Sequence, residues 1–192
     1  MAVEKDSIPS TEEEERTGDW FLSVKGRQIY PLDLRPEDVD IQEIAHSLAH
    51  QCRFQGHSRD FYSVAEHSVR LSLQPPEELA LCGLLHDGTE AFCGDMIRPL
   101  KRAMPQYRAI EDRIWLAVAA RFGLPVELPL EVKVADNRML QTERRDLLAK
   151  APWAWTLDEE AIKPYDFQIH PWSPVAARAR FLHEFERRGG RC

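Results

Sequence analysis

The stretch LLHDGTEAFCGD, Leu84 to Asp95, constrains the fold of this chain more than any other. An apolar run beginning near Leu79 ends abruptly in His86-Asp87, with Glu90 and Asp95 close behind. Three carboxylates and an imidazole this close together repel one another, or need costly satisfaction, in an ordinary core. The apolar part must nevertheless be buried. A metal ion would resolve the conflict by drawing the charged groups to one point.

The surrounding sequence supplies a helical frame. Asp40 and Glu43 form an Asp-x-x-Glu start signal for a helix over IQEIAHSLAHQCRF, whose Ile41, Ile44, Ala45 and Leu48 share a face. Ser63 and Glu66 repeat the spacing for VAEHSVRLSL. Pro75-Pro76 breaks the chain and favours the start of EELALCGLLHD. Longer helices are expected over about 106–122, stopped by Gly123 and Pro125, and over about 130–149. Ser173-Pro174 opens a last helix ending before Gly189-Gly190. The Trp- and Pro-rich segment 151–172 reads as an ordered loop wrapping the body. Ahead of the helices, FLSVKGRQIY gives two short strand-like runs about Lys25-Gly26, the chemistry of a small β-hairpin. The expectation is an all-α bundle with one N-terminal hairpin: a mobile acidic tail over 1–18 and a single domain over 19–192.

Length and composition agree. With 192 residues the chain can bury one sizeable core, and 43% hydrophobic and 30% charged residues suit a globular protein. A formal net charge of -7 argues against a nucleic-acid polymer as main partner, though not against a small phosphate ligand held by local cations. Cys52, Cys82, Cys93 and Cys192 show no paired spacing and read as free thiols of a reducing cytosol. No apolar stretch has the length of a membrane span and the N-terminus is unlike a signal peptide, so the expected location is cytoplasmic, off the membrane.

Helix lengths place the candidate ligands. About six residues separate His67 from the end of its helix, roughly 9 Å, and the next helix returns about 15 Å to His86. A helical hairpin of that size brings the two imidazoles back near one end. Asp87 follows where helical geometry loosens, Glu90 lies one turn beyond His86, and Asp136 offers a carboxylate from a distant helix. Two imidazoles and two carboxylates suit a divalent ion (Co²⁺, Mn²⁺, Mg²⁺ or Zn²⁺) and leave coordination positions open. His46 and His50, spaced i and i+4, mimic a helical metal pair, but no acidic partner is placed beside them. His57 and Arg59 lie in the loop before the His67 helix and are weaker candidates for the pocket.

On the segments CRFQGHSRDFYSVAEHS, LLHDGTEAFCGDMIRPLK and VADNRML, residues 40 to 150 resemble the HD-domain metal-dependent phosphohydrolases. The likeness is nearest to bacterial 5'-deoxynucleotidases and phage dATP triphosphohydrolases. The resemblance implies a helical bundle with His67, His86, Asp87 and Asp136 as metal ligands. It casts Glu90 as the carboxylate managing the attacking water and Asp95 as a second catalytic or substrate-positioning carboxylate. It also places Arg53-Phe54 where relatives hold phosphate and base, and it implies dimers or larger rings. Trp153, Trp155, Tyr165 and Trp172 add a hint of aromatic surface for such assembly. Two-metal relatives carry further His ligands between the HD pair and the last Asp. None lies between Asp87 and Asp136, which favours one ion.

Phosphate-ester hydrolysis by such a site would use Glu90 as general base, Arg53 as a planar fork, Lys101 as a point charge and Phe54 as an aromatic face. Each has a plainer reading: Phe54 as core, Arg53 as a surface ion-pair partner, Lys101 and Arg98 as solvated residues of a helix start. The expected activity is hydrolysis of 5'-deoxynucleoside monophosphates. The alternatives are dNTP triphosphohydrolysis and a nucleotide-binding regulator without turnover.

Overall fold

The computed structural model describes residues 15–154 and 162–190. It is mostly helical, with a small antiparallel sheet of two strands. Strands β1 (Phe21–Leu22) and β2 (Gln28–Ile29) form the expected hairpin, and Gly26 takes the left-handed conformation its turn requires (φ 76°). Order begins earlier than composition indicates. The Arg16 fork bonds both carboxylate oxygens of Asp38 at 2.7 and 3.0 Å and the Asp33 carbonyl, so residues 16 and 17 are tied to the body. Residues 1–14 of the expected tail lie outside the described residues, as do Trp155 and Cys192.

Helices α1 (Ile41–His50) and α2 (Val64–Ser72) start where their caps predict. The Asp40 carboxylate accepts from the amides of Gln42 and Glu43, and Ser63 Oγ accepts from the Glu66 amide. The reciprocal half of each expected capping box is absent. Glu43 turns instead to Ser23 Oγ and Arg27, while Glu66 takes Arg70 and the Trp172 amide, so both carboxylates anchor distant segments. Asp40→Ala is expected to cost about 1 kcal/mol of stability, measured by urea denaturation.

α1 stops at His50, short of the Phe54 expected. The backbones of Gln51 and Arg53 are claimed by Tyr62 and by the first residue of α2, with Val64 N to Gln51 O at 3.1 Å and Arg53 N to Tyr62 O at 2.9 Å. Phe54 and Gln55 then both adopt left-handed conformations (φ 55° and 52°), so Phe54 sits in a strained turn and not on a helix.

Then come α3 (Ala80–Leu85), α4 (Glu90–Cys93), α5 (Arg98–Ala103), α6 (Pro105–Phe122), α7 (Leu130–Leu147) and α8 (Pro174–Arg187). Gly123 (φ 66°) ends α6 and Ser173 caps α8, as expected. α2 is the central element. It packs against α1, α3, α7 and α8, and all its residues except Arg70 are buried. The main core gathers apolar residues of α1, α2, α3, α6 and α8, and a second cluster joins Leu71 and Cys82 to the buried stripe of α7. No helix among the described residues is long and apolar enough to cross a membrane.

The aromatic residues of 151–172 are largely spent inward. Trp172 lies between Arg70 and Arg180, and Tyr165 stacks on Phe167 beneath Arg138. Trp153 remains outward, 84% exposed.

Candidate metal centre

α2 and α3 pack together across the Pro75-Pro76 break, and the two imidazoles meet. His67 on α2 is wholly buried, and its Nε2 lies 3.3 Å from His86 Nε2 at the end of α3. Asp87 Oδ2 lies 3.1 Å from His86 Nε2 and 3.5 Å from His67 Nε2, and Asp136 Oδ1 from α7 is 3.4 Å from His67 Nε2. His67, His86 and Asp87 form a group that can hold a metal ion, with Asp136 beside it. Two donors each about 2.1 Å from one ion and near tetrahedral or octahedral angles are separated by about 3.0–3.4 Å, close to the spacings observed. Gly88 permits the turn that follows the pair: a Cβ there would stand 2.9 Å from the Leu85 carbonyl oxygen.

Proton placement strengthens the fit. His86 Nδ1 lies 2.8 Å from the Gly83 carbonyl, which can only accept, so Nδ1 carries the hydrogen. His67 Nδ1 donates at 2.6 Å to Glu143 Oε1, a carboxylate with no exposure. In the neutral imidazoles both Nε2 atoms therefore present lone pairs, facing each other and the oxygens of Asp87 and Asp136. Acceptors converging in this way call for positive charge, supplied by a proton or by a metal ion. Burial and Arg53 pull the His67 pKa down, Glu143 and Asp136 pull it up, and the balance stands at about 9. Burial alone would raise the Asp87 carboxyl, but His86, His67 and Arg53 hold it far below the usual range; Asp136 is likewise depressed, against burial, by His67 and His86. A field that keeps a proton on a buried imidazole also favours a divalent ion in its place.

Beside the cluster opens a cavity of about 580 Å³ lined by Arg53, Phe54, Asp87, Glu90, Asp95 and Asp136, among others. Glu90 is buried, and its Oε2 has no hydrogen-bond partner among the described residues. Burial first, then Asp87 and Asp95, push its pKa well above the ordinary carboxylate value. The Asp95 carboxyl is raised too, chiefly by burial. Gln51 clamps this edge: its amide nitrogen donates to the Glu90 carbonyl and its oxygen accepts from the Asp95 amide.

Arg53 is not an open fork. Its Nη1 faces Asp87 Oδ2 and its Nη2 faces Glu143 Oε2, each at 3.3 Å, leaving the side chain 11% exposed. Lys101 lines the cavity with its ammonium 2.7 Å from Glu111. Arg98 bonds Asp136 Oδ2 at 2.7 Å and Asn137 at 3.0 Å. The His46 and His50 rings contact each other at a tilt of 30°, and His46 lines a smaller cavity under the hairpin. His57 and Arg59 do not line the main cavity; Arg59 bonds the carbonyls of Asp146 and Leu148. Glu143 and Gln51 escaped the sequence reading. Glu143 lies two helical turns beyond Asp136, in phase with it on α7, and that periodicity was the available signal.

Fold and centre together define a helical protein with a buried histidine–carboxylate cluster, able to hold a metal ion, at the side of an open cavity. The chain is 39% identical over 166 residues to the uncharacterized protein YfdR of Escherichia coli K12, spanning 86% of this chain and 93% of that protein. It belongs to the YfdR family. It is also 41% identical over 126 residues to the uncharacterized protein RCAP_rcc00048 of Rhodobacter capsulatus, covering 60% of this chain and 64% of the relative. No protein-family model matches the chain.

Proposed function

We propose that this protein is a metal-dependent phosphohydrolase of the HD-domain class, acting on deoxynucleotides and first of all on 5'-deoxynucleoside monophosphates. The observation that carries this reading is the convergence of two imidazole Nε2 atoms and two carboxylates beside a cavity walled by a buried glutamate whose Oε2 has no partner among the described residues. His67, His86, Asp87 and Asp136 would hold one divalent ion. Such an ion, when bound, supplies charge neutralisation at a phosphoryl oxygen and acidifies a water.

The remaining work belongs to the chain. Glu143 and the Gly83 carbonyl fix both imidazoles with Nε2 toward the site. Glu90 takes the proton of the attacking water, and burial with the charges of Asp87 and Asp95 raises its pKa and so its strength as a base. Positive charge next to Asp87 would relieve part of that rise, leaving Glu90 free to ionise. Asp95 positions substrate, and Phe54, which also lines the cavity, offers a ring face to a base or sugar. A cavity of about 580 Å³ falls in the range of small-ligand sites.

Purified protein is expected to release phosphate from deoxynucleotides with Co²⁺, Mn²⁺, Mg²⁺ or Zn²⁺ and to lose that activity on exhaustive chelation. Colorimetric phosphate release, with chromatography to detect triphosphate, separates mono- from triphosphate substrates. Undiminished turnover after chelation would sink the metal mechanism. One tightly held ion per chain is expected, because no further His lies between Asp87 and Asp136. Two tight equivalents in elemental analysis would contradict that. The reading also carries an assembly of more than one chain, which a monomeric light-scattering profile would remove.

A further inference from the structure

We propose that Arg98 and Arg102 on α5 receive the phosphate end of the substrate. The proposal rests on the phosphohydrolase reading above for the identity of the anion, but its geometry is independent of it.

Four cations line the cavity: Arg53, Arg98, Lys101 and Arg102. Their existing commitments separate them. Arg53 is braced inside the protein between Asp87 and Glu143. Those two pairs occupy both Nη atoms, and its buried Nε has no hydrogen-bond partner among the described residues. The Lys101 charge is answered by Glu111 at 2.7 Å. Arg98 is 42% exposed, and its bonds to Asp136 and Asn137 use two of the five guanidinium N–H groups. Arg102 is exposed and has no hydrogen bond or ion pair among the described residues.

Arg98 and Arg102 are four residues apart on α5, hence on one face, and both border the cavity. Arg98 touches Asp136, which itself lies 3.4 Å from His67 Nε2, so this face begins at the metal cluster and runs outward from it. The cavity also carries the carboxylates of Asp87, Glu90, Asp95 and Asp136, which repel a phosphate dianion unless cations answer them. A guanidinium pair offers planar forks suited to phosphate oxygens. The anion site is therefore a patch built from one helical turn, with Arg98 joining it to the cluster and Arg102 supplying the uncommitted charge.

The test is equilibrium binding of inorganic phosphate to chelator-treated protein, followed by KM measurements on the loaded protein with a 5'-deoxynucleoside monophosphate. Arg102→Gln is expected to weaken phosphate binding at least about tenfold, to raise KM in parallel, and to leave the thermal midpoint in place, since the side chain is exposed. Arg98→Gln should weaken binding as well, Arg102→Lys should restore part of the loss, and Arg108→Gln, an exposed charge control on α6, should stay within about twofold. If the parent turns over no nucleotide yet phosphate binding falls in Arg102→Gln, the anion site stands and the phosphohydrolase reading fails. If nucleotide is hydrolysed and Arg102→Gln matches the parent in both binding and KM, the α5 site is refuted and the phosphohydrolase reading survives.

Discussion

Glu90→Ala should retain near-normal metal content while losing about two to four orders of magnitude in turnover, the usual worth of a general base. Asp87→Ala should lose both. The difference follows from placement. Asp87 Oδ2 sits 3.1 and 3.5 Å from the two imidazole nitrogens, so its removal takes away a candidate ligand and the carboxylate that holds the pair together. Glu90 instead borders the cavity, with Oε2 buried and unpartnered among the described residues. An unpaired buried carboxyl is costly to keep, which suits a group whose partner arrives with the substrate. Metal analysis of each variant, paired with single-turnover kinetics, makes the comparison. Complete loss of metal from Glu90→Ala would make Glu90 a ligand and Asp95 the first replacement as base.

The pH profile carries the sign of the same argument. The base must be ionised, and burial with Asp87 and Asp95 lifts its pKa, so kcat/KM should fall as pH drops through a value above the ordinary carboxylate range. The Glu90→Ala residual rate should lack that acid limb. An identical limb in parent and variant would assign it to another group.

The second large effect is expected at Glu143. This carboxylate accepts from His67 Nδ1 and faces Arg53 Nη2, with no exposure to solvent. Glu143→Ala leaves the Arg53 guanidinium with one counter-charge instead of two and frees the His67 ring to take the other tautomer. Breaking a buried pair costs about 3–5 kcal/mol, and losing a carboxylate behind a ligating His weakens metal binding about 10–100-fold. Urea denaturation of chelated protein reads the first, and competition with a metal-binding dye reads the second. Glu143→Gln keeps an acceptor for Nδ1 without the charge, so it should retain more of both, and it serves where the Ala variant does not fold. Metal affinity within about twofold of the parent in both variants would reduce Glu143 to a purely structural role.

Much of the helical frame was legible because its signals are local. The caps at Asp40, Ser63 and Ser173, the stop at Gly123 and the hairpin turn at Gly26 each depend on a few neighbouring residues, and all stand where the pattern put them. The meeting of His67 with His86 was also within reach, because a Pro-broken pair of helices of comparable length returns the chain to its starting end. The end of α1 was not. Its apolar pattern continues through Cys52 and Phe54, yet Tyr62 and Val64 take the backbone groups of Arg53 and Gln51, and that competition is settled only in space.

The residues themselves thus determined that a histidine–carboxylate set would gather at the end of a helical hairpin, because periodicity and chain breaks act within a few turns. The tertiary structure alone decided how each charge is used. Glu43 and Glu66 look like local caps but hold the hairpin and the 162–172 segment. Arg53 borders the cavity, yet its two Nη atoms face Asp87 and Glu143, the latter 90 residues away in the chain. A buried charge takes the counter-charge that is nearest in space when water is excluded, and which groups are near depends on how α2, α3 and α7 pack, a matter no window of sequence contains.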